Sequence, residues 1–555
     1  MLCTNYHHTI TLPSRDVPQK KSTLLIAGFA VVHCCLFAWF SSYTAEDAFI
    51  VYRYSENLIH GNGLVFNSGE FVSALTSPLH ALIVSVLYGI TDSSLWANRL
   101  FVLVLHFSAT CYALQAVKDL PGKILFGLIV WCSPFVIFWT AGGLETIYLS
   151  SFITIAFAAA VKCLKHHSTK HQWIFSICLG LAFLTRYDSC LVTLPIWFHV
   201  TFKQYQYFPK QFRHSLATLL LPGLLIACSW LVFSYNYYHD VFPTSVYHKP
   251  LQWDTQRAAV GYMIQFGLFC GILPTLGWFI VDQFSRNKSK LLSTAINTAK
   301  KHLGVLIGLS IFGCYASVTC LAHMMFSNRM LLPYLPAATL LLIDFLTRIN
   351  HTSITVWRGG RFGSKSWPIV IVLAIAVQAT LFYYIDQVSV NPGRYGEYTN
   401  LSRQSYITFI QTLDDQAAKI SQHWRDSGKS GEPQIHVYAA GILPYKLPQA
   451  KIVDWGLVSY RKKVHVDMVQ TGLLYSSDYI ITLSPRHHRR RYQLQQEANA
   501  LIVVDETTIN FDGNFETLGV YFNPTPIAYR LPNYVDGESR DRIPPKINEQ
   551  DNASH

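Results

Sequence analysis

The sequence predicts a mostly α-helical, polytopic membrane protein that ends in a soluble α/β domain. Hydrophobic residues make up 51% of the 555 residues, and charged residues make up only 14%. Apolar runs of about 20 residues recur as far as Ile385, and each could cross a hydrocarbon core about 30 Å thick. Beyond Ile385 the composition becomes that of a soluble protein and contains no cysteine.

Basic residues define the predicted topology. Lys and Arg concentrate in short segments between the apolar runs, and such segments favour the cytoplasmic side of a membrane. Residues 1–22 are therefore a cytoplasmic N-terminal segment, and residues 23–385 form a transmembrane domain of about 11 helices. The predicted crossings are 24–41, 95–117, 123–140, 146–161, 172–185, 188–203, 215–235, 258–281, 303–322, 330–346 and 367–385.

The apolar segment 74–90 does not fit the parity of this count. As a crossing it would place Lys118 and Lys123 on the outer side, so we predict a re-entrant or interfacial helix that the bundle covers. The remaining loops then face outward together and are the richest in unusual polar residues. The first of these outer loops spans residues 41–73.

Residues 386–532 are predicted to form a small α/β domain on the outer face. Residues 398–423 have helical periodicity. Short strand patterns occur at residues 434–440, 450–454, 478–483 and 501–505. Residues 533–555 are polar and are predicted to be a disordered tail.

Charge and motif content exclude several functional classes. The formal net charge is +12, but the basic residues follow the topology and do not line one face, so no nucleic-acid partner is expected. The twelve cysteines show no paired CxxC spacing and are interpreted as small buried apolar residues. No Walker loop, HExxH, GxSxG or dinucleotide fingerprint is present, which argues against soluble nucleotide-driven chemistry.

The candidate catalytic residues are Glu46 and Asp47, which directly follow the first apolar run. Acidic side chains at a membrane surface are costly to dehydrate, so their presence indicates a function. The membrane and the adjacent acid should raise the pKa of one of these carboxyls, as a general base requires. The alternative is that one of them caps a helix.

Several cations of the outer loops are candidate substrate-binding residues. Arg53 could pair with Asp47, hold a phosphate or form a structural salt bridge. Lys249 is suited to a phosphate, and Tyr247 or His248 could add a hydrogen bond. Arg329 breaks the positive-inside tendency, so it requires either an acidic partner or a phosphate.

The remaining candidate substrate-binding residues are Glu145, Arg186, Tyr187, Asp188 and His323. Arg186 and Asp188 could neutralise each other at the interface, or they could orient a sugar in an outward cavity with Tyr187 and Glu145. His323 is interpreted as a neutral hydrogen-bonding residue, because no second ligand stands four residues away and no metal site is expected.

Taken together, these motifs resemble membrane glycosyltransferases of the GT-C class. The matching segments lie between about residues 41 and 460 and are closest to the terminal β-1,2-arabinofuranosyltransferase family. They are Glu46-Asp47-Ala48-Phe49-Ile50, Gly61-Asn62-Gly63-Leu64-Val65-Phe66-Asn67, Thr76-Ser77-Pro78-Leu79, Gly143-Leu144-Glu145-Thr146, Arg186-Tyr187-Asp188, Pro243 to Lys249, Arg329 to Pro333, Gly441 to Tyr445 and Val453-Asp454-Trp455-Gly456-Leu457.

Three positions depart from the family pattern. The first acid of the pair is Glu46, where the family has aspartate. Cys320-Leu321-Ala322 replaces a Gly-Gly-Asp segment, and Pro243-Thr244-Ser245 replaces Pro-Asn-Thr. These changes leave the identity of the sugar open.

The resemblance implies an integral membrane enzyme, with its active site and C-terminal domain on the periplasmic side of a bacterial inner membrane. It would move a sugar such as arabinofuranose from a polyprenyl-phosphate donor to a cell-envelope glycan or glycolipid. No cofactor is required, and a divalent cation is optional. The alternatives are a lipid or sugar transporter or flippase, a mannosyl or aminoarabinose transferase of the same class, and a non-catalytic glycan-binding protein.

Overall fold

The structure is a computed structural model of the chain. It describes residues 19–248, 260, 263–264, 266–268, 271–284, 288–318, 329–354, 366–387, 403–437, 440–454, 477–483, 502–511 and 514–522. These residues form a predominantly helical membrane part and a C-terminal α/β part.

The membrane part consists largely of helices. In chain order they are α1 (Gln19–Phe40), α2 (Ala48–Ile59), α3 (Pro78–Thr91), α4 (Ser94–Leu114), α5 (Leu120–Phe126), α6 (Pro134–Gly142), α7 (Thr146–His166), α8 (Thr169–Thr185), α9 (Cys190–Tyr207), α10 (Phe212–Tyr238), α11 (Thr244–His248), α12 (Ile272–Phe284), α13 (Lys288–Lys301), α14 (Leu303–Val318), α15 (Leu335–Ile354) and α16 (Ser366–Gln387).

Helix α7 lies at the centre of the bundle, where it packs against α4 and α8. Its side chains are largely buried, whereas those of α1 and α10 are largely exposed along their apolar length. An apolar helix exposed in this way is expected to face lipid. The observed burial therefore matches a helix bundle whose outer helices contact the bilayer.

Within the described residues, four helices are long and apolar enough to cross a membrane, or five if one bent pair counts as a single span. The figure of about 11 crossings therefore stays a prediction. The bent pair corresponds to the predicted crossing 123–140, in which Leu120–Trp131 and Pro134–Gly142 meet at 45°. A π-helical turn at Gly127–Trp131 and the proline at the next helix start interrupt the hydrogen-bond ladder there.

The segment 74–90 overlaps α3, a helix of 14 residues. A crossing needs roughly 20 residues, so this length fits the predicted re-entrant or interfacial helix. The turn that follows α2 carries Gly61 and Gly63, both with positive φ. At Gly63 a side chain would overlap the hydroxyl of Tyr237, so this glycine is required both by its backbone and by close packing.

The C-terminal domain is built from helix α17 (Arg403–Asp426), short helix α18 (Ile442–Lys446) and a five-stranded sheet. The strands are β1 (Gln434–His436), β2 (Lys451–Val453), β3 (Tyr479–Leu483), β4 (Ile502–Phe511) and β5 (Asn514–Phe522). The strand order is β2-β1-β3-β5-β4, with parallel pairing around β1 and antiparallel pairing around β5. Its limits at 386 and 532 and its place outside the membrane stay predictions, and the tail 533–555 lies outside the described residues.

The first outer loop is fastened to this domain. Asn67 accepts a hydrogen bond from the main-chain N–H of Ile452 at 3.0 Å and donates one to the carbonyl of Ile452 at 2.9 Å. Glu56 on α2 accepts a hydrogen bond from the hydroxyl of Tyr445 at 2.7 Å. These contacts hold the C-terminal domain beside the helix ends that carry the acidic pair.

Candidate functional site

Five charged side chains form one continuous network at these helix ends. Arg329 contacts Asp47 at 3.3 Å and Glu145 at 3.0 Å. Glu145 also contacts Arg186 at 2.9 Å, and Arg186 binds Asp188 through two N–H groups at 3.0 and 2.7 Å. The fold thus brings together five of the predicted site residues, which come from four separate connections of the chain.

Glu145 is the most deeply buried member, with a side chain only 2% exposed. It directly precedes α7, and the chain reaches it through Gly143, whose φ of +79° suits glycine. The carbonyl of Gly143 accepts hydrogen bonds from Tyr52 at 3.1 Å and from Asn98 at 2.9 Å. Tyr148 donates to Asn98 at 2.6 Å, so a buried polar network fixes the start of α7.

The two arginines keep Glu145 ionised. Burial alone would raise the pKa of its carboxyl, but Arg329 and then Arg186 outweigh burial and lower that pKa to about 2. The Arg329 guanidinium also lies 5.6 Å from the ring centre of Trp139, a distance that allows a cation–π contact. Arg329 is therefore held by two buried residues, Glu145 and Trp139, in addition to its contact with Asp47.

Asp47 is the accessible member of the network. Its side chain is 46% exposed, and the 3.3 Å contact with Arg329 is long for a charge-assisted hydrogen bond. Asp47 precedes α2, but its side chain makes no capping hydrogen bond with that helix. It is a carboxylate beside a guanidinium, open to an incoming group.

Glu46 has different surroundings. Its carboxyl accepts a hydrogen bond from the main-chain N–H of Gly441, and its own main-chain N–H donates to the hydroxyl of Tyr406 at 2.8 Å. Burial and then the neighbouring Asp47 raise the pKa of Glu46 above its ordinary value, while the N–H groups of Gly441 and Ile442 act in the opposite direction. The two adjacent acids therefore contact different parts of the molecule.

The expectations for Arg53 as a phosphate ligand or a partner of Asp47 need correction. Its side chain is buried at 4% exposure and donates to main-chain carbonyls. Those carbonyls belong to Phe66, Pro444, Leu447 and Ala450. Arg53 therefore joins the first outer loop to the C-terminal domain, because its position on α2 points it toward this interface.

Of the five remaining predicted site residues, Tyr187 is fully described and the other four are described in part or lie outside the described residues. Tyr187 accepts a hydrogen bond from the indole of Trp230 at 2.6 Å. Tyr247 and His248 belong to α11, whose main chain is described without these two side chains. Lys249 and His323 lie outside the described residues. The substrate-binding role of all five stays a prediction.

Sequence reasoning missed Tyr406 and Trp139 as members of this region. Tyr406 is 360 residues away from Glu46 in the chain, so no local pattern relates them. Gly441 belonged to a matching segment but had no assigned role. The described residues contain no group of three or more His, Cys, Asp or Glu side chains arranged to hold a metal. The optional role of a divalent cation stays a prediction.

Comparison with known proteins supports the fold. No family model matches the sequence, and a search of curated proteins finds no match. The solved structures include a similar fold in ArnT from Cupriavidus metallidurans bound to undecaprenyl phosphate, with a TM-score of 0.56 at 14% identity. That match covers 91% of this chain and 98% of ArnT.

Two further structures are similar to different degrees. ArnT in the apo state gives a TM-score of 0.55 at 13% identity and covers 90% of this chain and 98% of ArnT. The cryo-EM structure of arabinosyltransferase EmbB from Mycobacterium smegmatis gives 0.35 at 10% identity, over 67% of this chain and 38% of EmbB, which is too low to bear on the fold. The chain therefore has a fold similar to that of ArnT, and its long apolar helices are those of an integral membrane protein, as predicted.

Proposed function

We propose that this protein is a membrane glycosyltransferase that moves a sugar from a polyprenyl-phosphate donor to a hydroxyl group of a cell-envelope glycan or glycolipid. The observation that carries the proposal is the half-exposed Asp47 carboxylate against Arg329, within a fold shared with a protein crystallised with undecaprenyl phosphate. A base beside a cation suits transfer of a sugar from a phosphate leaving group.

The chemistry needs one proton acceptor and one anion-binding group. The acceptor hydroxyl attacks the anomeric carbon, and the bond from that carbon to the phosphate oxygen breaks. Asp47 takes the hydroxyl proton, and the polyprenyl phosphate leaves with the bonding electrons. Since phosphate is stable as an anion, nearby cations can stabilise its departure without a general acid.

Arg329 is the described cation best placed for the phosphate. Two contacts of 3.0 and 3.3 Å tie it to Glu145, and one contact of 3.3 Å ties it to Asp47. A donor phosphate would compete with Asp47 for the guanidinium while Glu145 keeps Arg329 in place. Asp47 would then be released to accept a proton. Lys249, which follows α11 in the chain, is the proposed second phosphate contact.

Arabinofuranose is the proposed sugar because the motifs of the first outer loop are closest to the arabinofuranosyltransferase pattern. Aminoarabinose and mannose are the alternatives within the same reaction class. The network lies at one end of the bundle beside the C-terminal domain, which is consistent with a single outward face. We propose that this face is periplasmic and that the protein resides in a bacterial inner membrane.

The proposal is tested with purified protein in lipid nanodiscs and a panel of polyprenyl-phosphate sugars, with released polyprenyl phosphate as the readout. Asp47→Asn should lower kcat by at least about 100-fold with the active donor, since the amide cannot accept the proton. Asp426→Asn is the matched control, because Asp426 is an exposed acid at the end of α17.

Two results would contradict the proposal. Absence of sugar transfer from every donor would argue against a glycosyltransferase and would favour transport of the lipid. Unchanged kcat in Asp47→Asn, with transfer intact, would leave the activity standing but remove Asp47 as the base.

A further inference from the structure

We propose that Glu46 is a positioning residue that fastens the C-terminal domain over the site, while Asp47 alone accepts the proton. The inference rests on the proposed function and assigns different roles to Glu46 and Asp47. It also makes the C-terminal domain a working part of the active site.

The contact between Glu46 and Gly441 is too close for any side chain at position 441. A Cβ placed on Gly441 would overlap the main-chain oxygen and the carboxyl group of Glu46. The carboxyl accepts the N–H of Gly441 at the start of α18. Position 441 must therefore be glycine for the domain to sit where it does, which explains why this glycine stands in the segment Gly441 to Tyr445.

A second contact fixes the main chain of the same residue. The N–H of Glu46 donates to the hydroxyl of Tyr406, which belongs to α17. Glu46 is thus held by two different helices of the C-terminal domain, through its side chain and through its backbone. Because Asp47 is the next residue, the same contacts restrict where the Asp47 carboxylate can point.

An aromatic chain continues from this contact to the arginine. The ring of Tyr406 lies 5.2 Å from that of Tyr43, and Tyr43 stacks on Phe138 at 3.7 Å. The next residue, Trp139, lies beside Arg329 at 5.6 Å. Displacement of the C-terminal domain would therefore disturb both the backbone of Glu46 and Asp47 and the packing of Trp139 against Arg329.

The identity of the side chain at position 46 supports this role. The Glu46 side chain is long enough to bring its carboxyl to the main-chain N–H of Gly441. The carboxyl of Glu46 is therefore occupied by a contact with the C-terminal domain. Asp47, by contrast, is 46% exposed and faces Arg329.

The experiment compares three variants of the full-length protein in nanodiscs. Glutamine keeps the acceptor oxygen but cannot act as a carboxylate base, so Glu46→Gln should lose less than about threefold in kcat. Glu46→Ala removes the carboxyl that accepts the hydrogen bond from Gly441. Gly441→Ala adds a methyl group that would overlap Glu46. Each of these should lower kcat by about tenfold or more and speed amide hydrogen exchange in residues 403–426.

Controls separate local from general effects. Gly277→Ala is the matched glycine control, because a Cβ there would meet nothing within 4 Å. It should change neither rate nor exchange.

Two outcomes would overturn the inference. One is a Glu46→Gln enzyme as inactive as Asp47→Asn with unchanged hydrogen exchange, which would make Glu46 a base. The other is full activity and unchanged exchange in both Glu46→Ala and Gly441→Ala. If the wild type transfers no sugar at all, the proposed function fails, and hydrogen exchange in the same variants still decides whether Glu46 holds the domain.

Discussion

Two clusters of charge in this molecule contain similar groups but differ in balance. In the candidate site, Asp47, Glu145 and Asp188 share two arginines. Elsewhere in the bundle, Asp344 on α15 contacts three basic side chains at 2.9 to 3.1 Å. These are Lys301, His302 and Arg348.

The difference shows what distinguishes a stabilising cluster from a reactive one. Both oxygens of Asp344 are occupied, and its partners Lys301 and Arg348 are 40% and 41% exposed, as in an ordinary interfacial ion cluster. In the site the carboxylates outnumber the arginines, and the surplus falls on Asp47, the most exposed member. An acid with one long contact in a buried network remains available to a substrate.

The largest effect is expected from Arg329→Gln. This change removes the cation between two carboxylates and leaves Glu145 with less compensation for its burial. We expect unfolding to become easier by about 3–5 kcal/mol and kcat to fall by at least about 100-fold. Thermal unfolding and sugar transfer in nanodiscs measure the two effects. Arg425→Gln is the control, because Arg425 is an exposed arginine of α17. Equal losses of stability and kcat in Arg425→Gln would contradict a special role for Arg329.

A smaller effect is expected from pH. The arginines lower the pKa of Glu145 from its ordinary 4.5 to about 2, so the folded form holds this proton less tightly than the unfolded form. The resulting stability is complete above pH 4.5 and is lost as pH falls toward 2, by on the order of 3 kcal/mol. Melting temperatures across this range should show the slope, and Glu145→Gln should flatten it. A slope that Glu145→Gln leaves unchanged would assign it to other carboxyls.

The smallest effect is expected from Asp344→Asn. Its partially exposed ion pairs should contribute about 0–1 kcal/mol to stability, and the change should alter kcat by less than about twofold. Melting temperature and transfer rate are measured on the same preparation. A loss of activity comparable to that of Arg329→Gln would remove the distinction between the two clusters.

The sequence predicted the polar members of the site because charged residues next to apolar runs stand out at helix ends. Glu145, Arg186, Asp188 and Arg329 could each be selected this way. Their pairing could not be predicted, since the contact between Glu145 and Arg329 joins residues 184 positions apart. A charged residue can be identified from the apolar residues that surround it in the sequence, but the residue with which it pairs depends on the fold.

Arg53 shows where local reasoning was misleading. A pairing with Asp47 was one expectation for Arg53, but α2, which carries Arg53, begins at Ala48, after Asp47. The guanidinium is instead satisfied by carbonyls of the first outer loop and of the C-terminal domain. Those acceptors are main-chain groups, which carry no sequence signature.

The sequence by itself determined the membrane class, the helical architecture and the concentration of acids and arginines in the outer loops. These features follow from hydropathy and local charge, which act over neighbouring residues. Only the tertiary structure decided that Glu46 meets the C-terminal domain while Asp47 stays open beside Arg329. Two adjacent acids have nearly the same sequence context, so their difference arises from the distant groups that folding brings against each of them.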